Sequence, residues 1–246
     1  MTAEPKSRAG SGSVVLLCVC EARWSPCGQQ RRASICRISV GIGATGIATA
    51  AYYAALEYAK ARPQGRPITA KDPMLPQIPI IEHADVKRML LFQRAVVEGS
   101  LSILLQCSLL NDLSQVCEGD EKQKANLLLE ILTPIAKTYP SEMGVLSTSQ
   151  SLQCFGGYGY CEDFPVEQYY RDARIHPIHE GTTGIQAMDL LGRKVIMQNG
   201  KAFQLYTSEI RNTIQNALDA TELSSYGTHL EEAVKKLETI TLHLIS

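Results

Sequence analysis

Two short segments carry side chains whose types and spacing can do chemistry. One is Gln153-Cys154-Phe155-Gly156-Gly157-Tyr158-Gly159-Tyr160; the other is Ile178-His179-Glu180-Gly181-Thr182-Thr183-Gly184-Ile185-Gln186. In the first, a glycine pair after a helical stretch lets backbone come close to a bulky ligand and offers amides to its oxygens, while Gln153 can bond a polar edge. The same pattern also describes a helix C-cap. In the second, Glu180 stands directly before Gly181, Thr182 and Thr183, where a helix start would leave amides and hydroxyls free for phosphate or hydroxyl groups. A carboxylate there is either a capping residue or a general base, and the residues alone leave both readings open. His176 and His179 flank the same spot, but no third and fourth ligand is spaced to complete a metal site, so none is expected.

Such segments need a scaffold, and the hydrophobic spacing predicts helices. Val40, Ala44, Ile47, Ala51, Ala54 and Tyr58 share one helical face, and Val86, Leu90, Val97, Leu101 and Leu104 share another. Gly41, Gly43 and Gly46 sit inside the first of these helices, which suggests close approach by another backbone or a ligand, or tight helix packing. Pro63, Pro67, Pro73, Pro76 and Pro79 make a loop between the two. A polar connection from Asn111 to Lys124 leads to a helix starting near Ala125, which Pro134 and Pro140 should kink or divide. Another helix should begin after Gly181. Tyr206, Ile210, Ile214 and Ala217, then Leu230, Val234, Leu237 and Leu244, predict a final helical pair joined at Ser224 to Thr228. No segment alternates long enough to require a strand, so the expected fold is all-α. It is an up-and-down bundle of about six or seven helices with an extra C-terminal hairpin. The chain divides into an irregular leader, 1–36, expected to lack stable structure, a helical domain, 37–197, and a helical extension, 198–246.

The formal net charge of -1, with 24 Lys and Arg against 25 Asp and Glu, provides no basic field for nucleic acid and no acidic excess typical of disorder. The eight cysteines lack paired CxxC spacing, which favours a reducing compartment over a secreted disulfide framework or a zinc site. No uninterrupted apolar run approaches the roughly 18 residues of a membrane span. The expected location is the cytoplasm or the mitochondrial matrix.

A longer comparison adds to this reading. Pro165-Val166-Glu167-Gln168-Tyr169-Tyr170-Arg171-Asp172-Ala173-Arg174, followed by Ile178-His179-Glu180-Gly181-Thr182 and preceded by the glycine turn, resembles the signature of acyl-CoA dehydrogenases. Arg37 and Arg62, 25 positions apart, are similar to the family's substrate-contacting and flavin-contacting arginines. Within the family the likeness is greatest to the branch of 3-methylmercaptopropionyl-CoA dehydrogenases and their AidB-like relatives. It rests on the run from Gln77 to Leu90 and on the run from Gly184 to Lys194. The likeness covers about Arg37 to Ser246. Full-length members carry an N-terminal helical domain and a middle β-domain ahead of this part, so the resemblance implies a C-terminal fragment.

What the resemblance implies is FAD-dependent α,β-desaturation of an acyl-CoA thioester, with Glu180 as the catalytic base. Some members place the base on the first helix of this domain, but the position here is Cys36, which does not suit that role. Arg37 and Gly181 match positions at the acyl-CoA substrate. Arg62, Gln64, His83, Gln153, Gly156, Gly157, Thr182 and Gly184 match positions at FAD, several of them reaching across a dimer interface. Ser34 departs from the acidic or amide residue common in the family, and Gly184 stands where many members have glutamine, as the AidB-like branch tolerates. The implied partners are acyl-CoA, an electron-transfer flavoprotein or other acceptor, and further copies in a homodimer or homotetramer. An alternative is a non-catalytic helical module that pairs with full-length subunits.

Overall fold

The computed structural model describes residues 26–69, 72 and 74–245, with side chains from Ser34 onward. Among these residues the chain is helical, with one isolated bridge, Pro63 to Pro79, closing the proline loop. Seven α-helices follow in order: α1 (Pro26–Ala61), α2 (Ala84–Val116), α3 (Gly119–Phe155), α4 (Val166–Ala173), α5 (Thr183–Asp189), α6 (Met197–Asp219) and α7 (Ser224–Ile245). The three long helices pack on one another, α4 lies across α1 and α3, and the α6–α7 hairpin docks on α3 through α6.

α1 begins at Pro26, so residues 26–36 of the expected leader are helical instead, and 1–25 lie outside the described residues. Pro26 is the first helical residue, a position where a missing amide costs nothing. The buried stripe of α1 is made of small residues: Val40, Ala44, Ala48, Ala51, Ala55 and Ala59. Small side chains let α3 approach closely, and Ser151 Oγ donates to the Ala51 carbonyl at 2.7 Å across the gap. A Cβ on Gly41 would lie 2.3 Å from the Ala136 carbonyl oxygen, so this glycine is required by backbone contact. That carbonyl is the one Pro140 leaves without its helical donor.

The prolines were expected to kink or divide this helix, yet α3 runs undivided through Pro134 and Pro140. Both are buried, and α3 packs against α1 and α2, contacts that can hold the helix together across the missing bonds. α2 and α3 also extend into the expected polar connection, which shrinks to Cys117 and Glu118. The inward face of α2 is Met89, Leu90, Gln93, Val96, Ser100, Leu104, Cys107 and Leu110. Leu101, expected inside, is half-exposed, because polar Gln93 and Ser100 take the buried positions. The hairpin turn lies at 220–223, ahead of the expected Ser224 to Thr228. Gly227 lies inside α7, and a side chain there would crowd Leu218, at 3.2 Å.

By length and composition alone, α1 from Ser34 and α2 could each cross a membrane, although neither holds an uninterrupted apolar run of that length. Each also buries one face against α3, as core helices of a globular domain do. The core has two parts. One gathers Ile38, Leu104, Cys107, Leu110, Leu128, Ile131 and Ala202; the other gathers Ala55, Ala59, Met89, Leu90, Phe155 and Val166.

Candidate active site

The first group of candidate residues surrounds the segment between α4 and α5. Glu180 is exposed and adopts φ 53°, and Gly181 follows at φ 88°. A left-handed glutamate is sterically costly, so surrounding contacts must hold it there. Thr182 caps α5 with its Oγ1 accepting from the Ile185 amide at 3.5 Å, and the Thr183 hydroxyl donates to Glu142 on α3. The helix start expected after Gly181 is therefore present. A side chain at Gly184 would meet nothing nearer than the Thr182 hydroxyl, at 4.0 Å.

Beneath this loop lies a set of charged and titratable groups. Lys137 on α3 is fully buried, and its Nζ has no hydrogen-bond partner. Burial depresses its ammonium; Glu142 and Glu180 oppose that effect, while Arg37 adds to it. These four groups thus share one electrostatic environment. His176, also buried, is pushed down to about 4 by burial, then by His179 and Lys137. His179 Nε2 lies 3.1 Å from His176 Nδ1, so the two rings form a hydrogen-bonded pair in which one nitrogen donates and the other accepts. Gly43 of α1 faces this pair, since a Cβ there would sit 3.1 Å from His176 Cε1. Arg37 reaches Asp189 at 2.5 Å, and Arg193 grips the same carboxylate from α5's extension. Burial favours the neutral form of Asp189, but hydrogen bonds from Arg37 and Arg193 outweigh it and hold the carboxyl below its usual range.

The second group collects at the far end of α1. Arg62 follows the helix and stacks over the Tyr158 ring at 5.2 Å from its centroid, with a buried Nε that has no partner. His83 Nε2 is 2.8 Å from the Gln64 carbonyl, which fixes the loop's conformation. The glycine turn stands beside them: Gly156 at φ 60° ends α3, and a tight helical turn follows over Gly156–Tyr160. Stacked Tyr58 and Phe155, with ring centroids 4.1 Å apart, support it from below. A side chain at Gly157 would meet nothing within 4 Å, so no contact inside this chain demands glycine there. Gln153, one turn earlier, is exposed.

The candidate residues therefore form two sites rather than one. Arg37, Glu180, Gly181, Thr182 and Gly184 belong to the first; Arg62, Gln64, His83, Gln153, Gly156 and Gly157 belong to the second. Along α1, Arg37 and Arg62 are about 37 Å apart at the helical rise. Two clefts, of about 460 and 760 Å³, open elsewhere on the bundle, and neither is lined by any of these residues. Lys137, Gln186 and Asp189 were not singled out as functional from sequence. A lysine inside an apolar helical run and an aspartate four positions before an arginine have ordinary surface readings, and only their burial sets them apart.

The C-terminal domain of acyl-CoA dehydrogenases matches residues 29–196 of this chain. The chain belongs to the acyl-CoA dehydrogenase family. Among curated relatives, the butyryl-CoA dehydrogenase of Syntrophomonas wolfei is 39% identical over 181 residues, covering 73% of this chain and 29% of that protein. The 3-methylmercaptopropionyl-CoA dehydrogenase of Ruegeria pomeroyi is 38% identical over 203 residues, covering 82% of this chain and 33% of that protein. The chain thus spans about a third of the length of these acyl-CoA dehydrogenases. Among solved structures, the butyryl-CoA dehydrogenase from Megasphaera elsdenii aligns with TM-score 0.52 and 28% identity, over 66% of this chain and 37% of that one. ACDH-11 of Caenorhabditis elegans, solved in complex with C11-CoA, shares the fold with TM-score 0.72 at 23% identity, over 86% of this chain and 33% of that one.

Proposed function

We propose that this chain is the base-bearing C-terminal part of an FAD-dependent acyl-CoA dehydrogenase that desaturates an acyl-CoA thioester between its α- and β-carbons. The observation that carries this reading is Glu180 itself. Its carboxylate projects from a strained left-handed backbone, near enough to the buried Lys137 to favour that residue's charged form, in a chain of this family. Glu180 would take the α-proton, becoming a neutral carboxylic acid, while Arg37 and Gly181 would contact the substrate. A carboxylate suits this task when substrate encloses it and water is excluded, because desolvation strengthens its affinity for a proton.

FAD fits the second group. The buried, unpartnered Nε of Arg62 suits a pyrophosphate oxygen, and the open face of Gly157 leaves room for backbone contact. Gln64, Gln153 and Gly156 line the same place, and His83 contributes by fixing Gln64. Thr182 and Gly184 would meet the flavin of the first group. When bound, FAD supplies the acceptor for the β-hydrogen as hydride. Because the two groups are so far apart along α1, one flavin would be held by the first group of one copy and the second group of another, which implies a homodimer or homotetramer. Reoxidation would require an electron-transfer flavoprotein or another acceptor, and the setting would be cytoplasm or mitochondrial matrix.

The test joins this chain to the N-terminal two thirds of the Syntrophomonas wolfei butyryl-CoA dehydrogenase and introduces Glu180→Gln. Flavin and acyl-CoA binding should persist, and flavin reduction should fall about a thousandfold or more, roughly 4 kcal/mol of barrier. A loss within about tenfold would make Glu180 a structural cap. A second reading, a non-catalytic oligomerisation module, is favoured by the half-exposed row Leu101, Leu105 and Leu109 on α2. It predicts that the chain co-purifies with full-length subunits while Glu180→Gln changes nothing.

A further inference from the structure

The left-handed loop that carries Glu180 rests on the side chain of Gln186. Gln186 lies in the second turn of α5 and is 1% exposed. Its backbone amide donates to the Thr182 carbonyl at 2.9 Å. Its side-chain Nε2 donates to the Glu180 carbonyl at 3.0 Å and lies 3.3 Å from the Gly181 carbonyl. Three consecutive carbonyls thus converge on one residue.

Nothing local accounts for this arrangement. A glutamate has no intrinsic preference for positive φ, and the capping contact of Thr182, at 3.5 Å, is long. Gly181 sits close against this amide, since a side chain there would meet Nε2 at 2.7 Å. The amide group is also the only neutral arrangement of this size that offers two N–H donors to two carbonyls. A carboxylate in its place would set acceptor against acceptor, and an apolar side chain would leave both carbonyls without this donor.

We propose that Gln186 is the positioning residue of Glu180: it fixes the backbone from which the carboxylate projects and so sets the carboxylate's aim at substrate. The catalytic meaning rests on Glu180 being the base; the mechanical coupling does not. Without the two N–H donors, the strain at Glu180 is released and the loop samples other conformations.

The test is amide hydrogen exchange by mass spectrometry on the full chain, corrected for intrinsic exchange at each pH. Gln186→Met keeps the length and removes both donors, and should speed exchange in the peptide covering 179–184 by roughly tenfold or more while α1 and α3 stay unchanged. Gln186→Glu adds a readout that mere space-filling would not move. At high pH its ionised carboxyl has no donor and the loop should exchange as fast as in the Met variant. At low pH its protonated carboxyl can donate to one carbonyl, and protection should return. Parent-like exchange in the Met variant overturns the proposal. So does a Glu variant whose loop exchanges alike on both sides of its titration, and that comparison, made within one folded protein, decides the matter even if the Met variant unfolds. Failure of Glu180→Gln to impair flavin reduction would instead refute the base assignment and leave these exchange results untouched.

Discussion

His176 and Lys137 show how the interior beneath Glu180 is balanced. His176 is neutral at physiological pH because burial, His179 and Lys137 push its pKa down to about 4, against an ordinary value of 6.5. The unfolded chain therefore takes up a proton at this residue at higher pH than the folded chain does. Stability should be fully present above about pH 6.5 and should fall as pH drops toward 4, by up to ~3 kcal/mol from this group. Urea unfolding across that range, compared with His176→Gln, measures the difference; identical pH profiles in the two proteins would refute it. Lys137 should behave in the opposite way to most core residues. Its buried ammonium has no hydrogen bond, so Lys137→Met should leave the folding free energy unchanged or raise it by about 1–3 kcal/mol. It should also shift the His176 titration upward in proton NMR, because a nearby cation has gone. A clear loss of stability would mean that Lys137 has an ionic partner strong enough to justify its burial. A residue retained at such a cost is what a charged working site would require. Glu180 and Thr182 stood out as candidates from the residues around them, whereas Arg37 became one only through the resemblance to the family. Lys137 and Asp189 had no such signal, since only the packing of distant helices takes them out of water.

At the scale of elements, glycines on one helix separate into different physical cases. Gly41→Ala places a methyl against the Ala136 carbonyl, a backbone atom that cannot rotate away, and should cost about 1–3 kcal/mol as α1 is pushed from α3. Gly46→Ala meets nothing within 4 Å and should stabilise by about 0.5–1 kcal/mol through helix propensity. Thermal unfolding of the two variants side by side provides the check, and equal effects would contradict the packing described. Sequence alone predicted close approach or tight packing for both, and only the partner helix separates them. The α1 face was legible at Val40, Ala44 and Ala51, while Ala48, Ala55 and Ala59, one position on from Ile47, Ala54 and Tyr58, take the most buried places. On α2 the face held at Leu90 and Leu104 but not at Leu101, because Gln93 and Ser100 face inward while Leu101 faces out, the reverse of the usual burial preference. Pro134 and Pro140 failed as helix breakers because their cost is met by tertiary packing, which no local rule sees. The hairpin turn was displaced because Gly227 reads as a loop residue yet serves as a contact point.

At the scale of the whole molecule, the separation of the two groups along α1 has a measurable result. The chain alone should bind FAD weakly, as followed by flavin absorbance in the protein peak after gel filtration. A stoichiometric yellow preparation would show that one copy supplies enough contacts. The half-exposed row of Leu101, Leu105 and Leu109 should drive self-association, with Leu105→Glu shifting the light-scattering mass toward the monomer. A monomeric parent at micromolar concentration would remove that expectation. Gln198, Asn199 and Gly200 form an elbow of three successive left-handed residues, placed just beyond the family match that ends at 196. Everything assigned to base, acyl-CoA or flavin lies before that elbow, whereas α6 past it supplies Ala202, Phe203 and Tyr206 to cover the apolar side of α3. The tail is accordingly a detachable cover. Cutting the chain at the elbow should leave the candidate residues in place and bare an apolar flank that aggregates, and any relative lacking the tail must shield the same greasy surface by other means.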